Sequence, residues 1–185
     1  RKLNVNKIIC FEPYTPYVKI LKKLKIKNIK IYPYGIDKFN KYYDVFFPRY
    51  RFFSKNLDLI TYTFYDKKKL KKQINLDFIF KRNIEIINQK IYLKKVKKIQ
   101  TKIHLIKIDV NEHEFSVIKG LEQVIRRDRP ALIIETGEDI KDIEKFLKKY
   151  NFKKYLFSNK QSKFFKIKKD YPLNTYFLQN SHLSI

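Results

Sequence analysis

Apolar residues along this chain fall into short alternating runs and longer helical stripes, and that alternation predicts the elements. Lys7 to Phe11 is an apolar strand closed by Glu12-Pro13, because Pro13 has no N–H to give a ladder. Thr15-Pro16 reads as a helix start, with Thr15 as N-cap and Pro16 at the first helical position. Val18, Leu21 and Leu24 then share one face at helical spacing, Ile20 flanks it, and lysines fill the other face. Ile29 and Ile31 alternate with Lys30 and Tyr32 in a second strand, which Pro33 to Gly35 ends. Strand, helix, strand is the unit of a parallel sheet.

The pattern is weakest between residues 39 and 100. Tyr42 to Phe53 crowds aromatics around Pro48, Arg49 and Arg51, and reads as a surface-covering insertion rather than a regular element. Aromatics interleaved with arginine can stack bases. Capping a pocket is the preferred reading, since pocket walls are typically apolar and aromatic. Asp66 to Gln73 reads as a solvated, lysine-rich helix face, and a strand is placed within Ile84 to Val96.

The pattern returns at Ile103-His104-Leu105-Ile106, which runs into Lys107 to Glu114, Lys-Ile-Asp-Val-Asn-Glu-His-Glu. A near-continuous apolar run rich in β-branched residues predicts a strand buried on both faces. Asn111 is the expected N-cap of a helix whose apolar face is Phe115, Ile118, Leu121 and Val124-Ile125, ending at Arg126 before Pro130. Ala131 to Ile134 is another buried strand, closed by Glu135-Thr136-Gly137. Glu138 and Asp139 open a further helix through Tyr150. Phe152 to Phe157 and Thr175 to Leu178 are late strands, joined by a basic loop at Lys160 to Lys169. The expected fold is α/β, one domain over residues 1–185 with a doubly wound, mostly parallel sheet and an aromatic and basic insertion at about 39–100.

Ligands of such sheets bind beyond the carboxyl ends of the strands. Asp109, Glu112, His113 and Glu114 lie at one such end, and no other part of the chain concentrates titratable groups beside a buried strand.

Composition changes this picture little. The net charge of +25 invites nucleic acid. Yet lysine greatly outnumbers arginine, the better reader of phosphate and base edges, so nucleic acid is an unfavoured partner. The skew toward Lys, Ile, Asn, Tyr and Phe, with Gly at 3 and no Trp or Met, is what A+T-rich codons produce. A lone cysteine, Cys10, excludes a disulfide framework and fits a reduced, cytoplasmic setting. No apolar run is long enough to span a membrane. The sequence starts at Arg1 without methionine, as a processed chain or a fragment would.

Three segments together resemble the FkbM family of S-adenosylmethionine-dependent methyltransferases. Phe11-Glu12-Pro13 resembles the family's FEP. Leu105 to Val110, followed by His113-Glu114 and Lys119-Gly120, resembles its K-I-D-V-E-G-H-E…L-K-G signature. Arg129-Pro130 with Ile133-Ile134-Glu135 resembles its P-x-L-I-I-E strand, and Tyr42 to Phe53 resembles an aromatic insertion of some members. The resemblance implies a Rossmann-like class I methyltransferase fold, S-adenosylmethionine as cofactor, and methyl transfer to a hydroxyl of a small molecule, sugar or glycan.

It also implies roles. Glu12 would bind the cofactor's ribose, and Asp109 would face both methyl donor and acceptor. His113 or Asp109 would take the acceptor's proton. Glu114 would act in catalysis or hold the helix entrance, and Glu112 and Glu135 would line the acceptor side. A histidine near its ordinary pKa suits proton acceptance at neutral pH. The acid spacing is not that of a metal site, and no metal is assigned. Two departures stand out. The family's glycine-rich loop would precede Arg1, so the fold is expected to be N-terminally incomplete. The family's Glu-Gly is replaced by Asn111-Glu112, which puts a side chain where the backbone turns tightly. An inactive methyltransferase-like domain and a basic nucleic-acid-binding module are the alternatives.

Overall fold

The computed structural model describes residues 5–52, 55–77, 83–96 and 99–183. The fold is mixed α/β, and contacts gather into two compact units, Arg1–Lys95 and Val96–Ile185.

In the first unit, β1 (Ile8–Phe11) and β2 (Ile29–Tyr32) pair in parallel, joined by α1 (Thr15–Lys23). This is the expected strand, helix, strand. The N-cap is Tyr14 rather than Thr15, and Pro16 sits in the first turn, where a missing N–H costs nothing. Instead of a hydroxyl cap, Glu12 turns back to accept from the Tyr14 N–H at 2.8 Å.

The stretch read as an irregular insertion is the most regular part of the chain. β4 (Lys41–Phe52) runs antiparallel to β6 (Ile84–Lys94), in register from Lys41↔Leu93 to Tyr50↔Ile84. Two short strands complete a four-stranded sheet: β3 (Gly35–Ile36) on β6 and β5 (Lys55–Asp58) on β4. Pro48 does not break it. The Phe46 N–H points away from β6 to the Phe64 carbonyl, so the Pro48 nitrogen, two residues on, also faces away from β6 and the ladder loses no bond. Aromatics on both faces hide the period: Val45 and Phe47 are buried, while Tyr42 is 73% exposed against Tyr92. The strand expected within Ile84 to Val96 is β6. The lysine-rich run is α2 (Lys67–Asp77), which buries only Leu70 and Ile74. Phe53 lies outside the described residues.

The second unit holds a five-stranded sheet in the order β10-β9-β11-β8-β7. β7 (Leu105–Ile108) and β8 (Ala131–Glu135) are parallel; β11 (Asn174–Leu178), β9 (Lys153–Ser158) and β10 (Lys163–Lys166) join antiparallel. The four- and five-stranded sheets are therefore mixed rather than mostly parallel, while the β1–β2 pair is parallel. The basic loop at Lys160 to Lys169 contains strand β10, formed because Phe164 and Phe165 alternate on a hairpin arm. β7 ends its sheet and is not buried on both faces: Ile108 points inward while Leu105 is 56% exposed.

One long helix was expected after β7. Instead α3 (Glu114–Gly120) and α4 (Glu122–Asp128) are separated at Leu121, which is buried and ends one helix as it begins the next. With α5 (Ile140–Lys148) they supply the apolar core: Ile118, Ile125, Ile143 and Leu147 with Leu132, Ile134 and Phe177 of the sheet.

Candidate active site

The acid-rich turn after β7 has an unusual backbone. Asn111 and Glu112 both adopt left-handed conformations, with φ of 51° and 67°. Only then does α3 begin, with His113 rather than Asn111 at its N-cap. Left-handed φ costs a side-chain-bearing residue roughly 1–2 kcal/mol and costs glycine almost nothing. Glu112 thus carries the strain at the position where the FkbM signature has glycine. The reward is geometric: two left-handed residues reverse the chain within one turn and bring Glu114 back under the strand end.

Asp109 and Glu135, from the ends of neighbouring parallel strands, meet by a side-chain hydrogen bond. The Asp109 bond, with burial and the Asp109 charge behind it, pushes the Glu135 carboxyl up to about 6. For Asp109, burial pulls upward, but the bond from Glu135 and the Lys107 ammonium outweigh it and hold the group below the usual range. Lys107 Nζ stands 3.1 Å from Asp109 Oδ2 and donates to Asn174 Oδ1 at 2.7 Å. The pair is half-exposed, so solvent and ligands reach it.

Glu114 lies deeper, 1% exposed. Its Oε1 accepts from the Val110 N–H at 3.2 Å, closing the turn. Burial raises its pKa against that backbone bond, and the Asp139 and Asp109 charges raise it further. Asp139, at the start of α5, makes no side-chain cap for its own helix. Its Oδ2 accepts from the Phe115 N–H of α3 at 2.8 Å, so it locks the two helices together. His113 is buried, and Glu112 half-buried, on the turn between. Among the described residues, no group of three or more His, Cys, Asp or Glu side chains is arranged to hold a metal.

Of the residues singled out in the sequence, Asp109, Glu112, His113, Glu114 and Glu135 come together in the second unit. Glu12 belongs to the first. Beside it Phe11 and Tyr32 stack with ring centroids 5.0 Å apart, and Tyr34 closes the group at 5.7 and 5.5 Å. Burial raises the Glu12 carboxyl, and its bond from the Tyr14 N–H pulls the other way. Sequence reasoning missed Lys107 and Asn174 as tethers of Asp109, and Asp139 as the partner of α3. The signal for Asp139 was present, an acid two residues past Gly137 at a strand end, but it was assigned to its own helix.

Residues 49–154, more than half of the chain, match the family model for the methyltransferase FkbM domain. The chain belongs to the FkbM methyltransferase family. The match contains the whole β7 turn, Glu135 and Asp139; Glu12 lies outside it. The chain is also similar to the crystal structure of methyltransferase FkbM from Methylobacillus flagellatus KT, with a TM-score of 0.53 and 12% identity. That likeness covers 93% of this chain and 36% of the other, so the chain spans about a third of that protein's length, and at such identity it concerns the fold. No curated protein matches the chain. Among the described residues, no helix is long and apolar enough to cross a membrane. The acid turn with both its left-handed residues thus lies inside the stretch that matches the FkbM family.

Proposed function

We propose that this chain carries the site of an S-adenosylmethionine-dependent O-methyltransferase acting on a hydroxyl of a sugar or glycan. The observation that carries the reading is the Asp109–Glu135 pair. A carboxyl held near 6 by its partner gives it up at neutral pH and can take a proton from a bound alcohol. When bound, S-adenosylmethionine supplies an electrophilic sulfonium methyl. Residues of the chain fit it: Glu12 has one oxygen engaged by the Tyr14 N–H, leaving the other for ribose hydroxyls, and the Phe11, Tyr32 and Tyr34 rings offer a flat face to a purine.

On the acceptor side, Asp109 orients the hydroxyl and shares its proton with Glu135, while Lys107 holds the Asp109 carboxylate in place. His113 is the second candidate base, and Glu112 and Glu135 line the acceptor's approach. Glu114 keeps the turn closed through Val110, which fixes the angle at which Asp109 is presented. In direct methyl transfer most of the rate comes from positioning the reactants. The parallel pairs β1–β2 and β7–β8, each joined through helix, are the kind of unit from which a Rossmann-like class I methyltransferase sheet is built. A cytoplasmic setting belongs to the same reading, with Cys10 the single cysteine.

The test is methyl transfer by this chain from labelled S-adenosylmethionine to a panel of sugars, with Asp109→Asn and His113→Gln beside it. Label appearing on a hydroxyl and lost in Asp109→Asn supports the reading. A chain that shows no thermal shift with S-adenosylmethionine and transfers no label sinks it.

A further inference from the structure

Two oxygens at this mouth are not used by the methyl transfer proposed above. Glu114 Oε2 and Asp139 Oδ1 are buried and hydrogen-bond to nothing among the described residues. Their sister oxygens are engaged by the Val110 and Phe115 N–H groups, so both carboxyls are held in orientation with one acceptor left over on each. Both leftover acceptors face the same spot. A methyl group built on Gly137 would stand 3.4 Å from Glu114 Oε2 and 3.6 Å from Asp139 Oδ1. The absent side chain of Gly137 is what leaves room there.

Burying an acceptor without a partner is costly, and more so when it carries charge. Glu114, at 1% exposure, has no solvent to fall back on. What would satisfy the spot needs several hydrogens to donate, none to receive, and positive charge to offset two carboxyls. A divalent ion is a poor match, since among the described residues no three His, Cys, Asp or Glu side chains converge. An ammonium has three donors and no acceptor.

We propose that Glu114 Oε2 and Asp139 Oδ1, flanking Gly137, form a subsite for the ammonium group of a bound molecule. The methyl-transfer reading enters only in naming which molecule brings that ammonium: the amino group of the methyl donor, or an amino group on a sugar acceptor.

Gly137→Ala is the sharpest test. Gly137 has no left-handed φ, and the added methyl meets both oxygens at ordinary contact distance, so the variant keeps its fold while covering them. Binding is measured by calorimetry on the whole chain, with S-adenosylmethionine against its deaminated analogue and glucosamine against glucose. At least one amine-bearing ligand is expected to bind about tenfold or more tighter than its amine-free counterpart. That preference should vanish in Gly137→Ala and in Glu114→Gln, and the pair that shows it identifies the source. No amine preference in either pair, including no binding at all, overturns the proposal, as does a preference that survives in Gly137→Ala. Should Gly137→Ala lose its fold, Glu114→Gln, of the same shape, decides by the same criterion. Methyl transfer is scored separately: amine preference without transfer sinks the catalytic reading and leaves the subsite standing.

Discussion

Two carboxyl pairs stand at the ends of β7 and β8, and they are handled in opposite ways. Asp109 and Glu135 are half-exposed, hydrogen-bonded to each other, and steadied by the Lys107 ammonium. Glu114 and Asp139 each accept a backbone N–H with one oxygen and, among the described residues, leave the other unpartnered. The first pair can change protonation cheaply because water and lysine absorb the charge. The second cannot, and its engaged oxygens serve the architecture. Depth divides labour between groups of identical chemistry.

That contrast can be broken in order of effect. Asp109→Asn should lower methyl transfer by roughly 10²–10⁴-fold, the usual worth of a positioned acid or base, with little loss of stability. Undiminished turnover would remove the exposed pair from the chemistry. Glu114→Ala should do the reverse first, costing roughly 1–3 kcal/mol in denaturant unfolding, because the Val110 N–H loses its acceptor inside the fold. If it unfolds like the parent, the turn is not held from below.

Titration separates the pairs further. With Glu135 raised from 4.5 to about 6, its stabilising contribution is complete below 4.5 and is lost as pH rises through about 6. Activity runs the other way, falling as pH drops below about 6, where the pair keeps its proton. Glu135→Gln should erase both slopes in pH-dependent melting and rate profiles. Asp109, lowered from 3.8, acts in a more acidic window and does not blur this one. The smallest effect belongs to the turn above: Glu112→Gly should stabilise by roughly 0.5–1 kcal/mol by relieving a left-handed side chain, less glycine's entropy. A neutral or destabilising result would mean that Glu112 contacts repay its strain.

The mouth was legible because strand, acid burst and helix follow one another within a dozen residues, and local order carries local geometry. Asp109 and Glu135 were placed by the same logic, each ending an apolar run that pairs with the other in parallel. What escaped was set by distant partners. β4 hid behind Pro48, whose harmlessness depends on which way the Phe46 N–H points. The mixed sheet depends on β11 entering beside β8, a long-range pairing that no period announces. Asp139 looked like a cap because its partner, the Phe115 N–H, lies 24 residues away.

Lys107 has a second consequence, in terms of solubility. Among the described residues β7 ends its sheet, and a short edge strand reading Leu-Ile-Lys-Ile would be adhesive without its charge. A lysine on such an edge is a common safeguard against strand-to-strand association, since pairing with another copy would bury it. The residue that steadies Asp109 is thus also the charge on that edge. Lys107→Ile would trade a tethered carboxylate for a sticky strand, and the loss would register as light scattering before it registered as lost turnover.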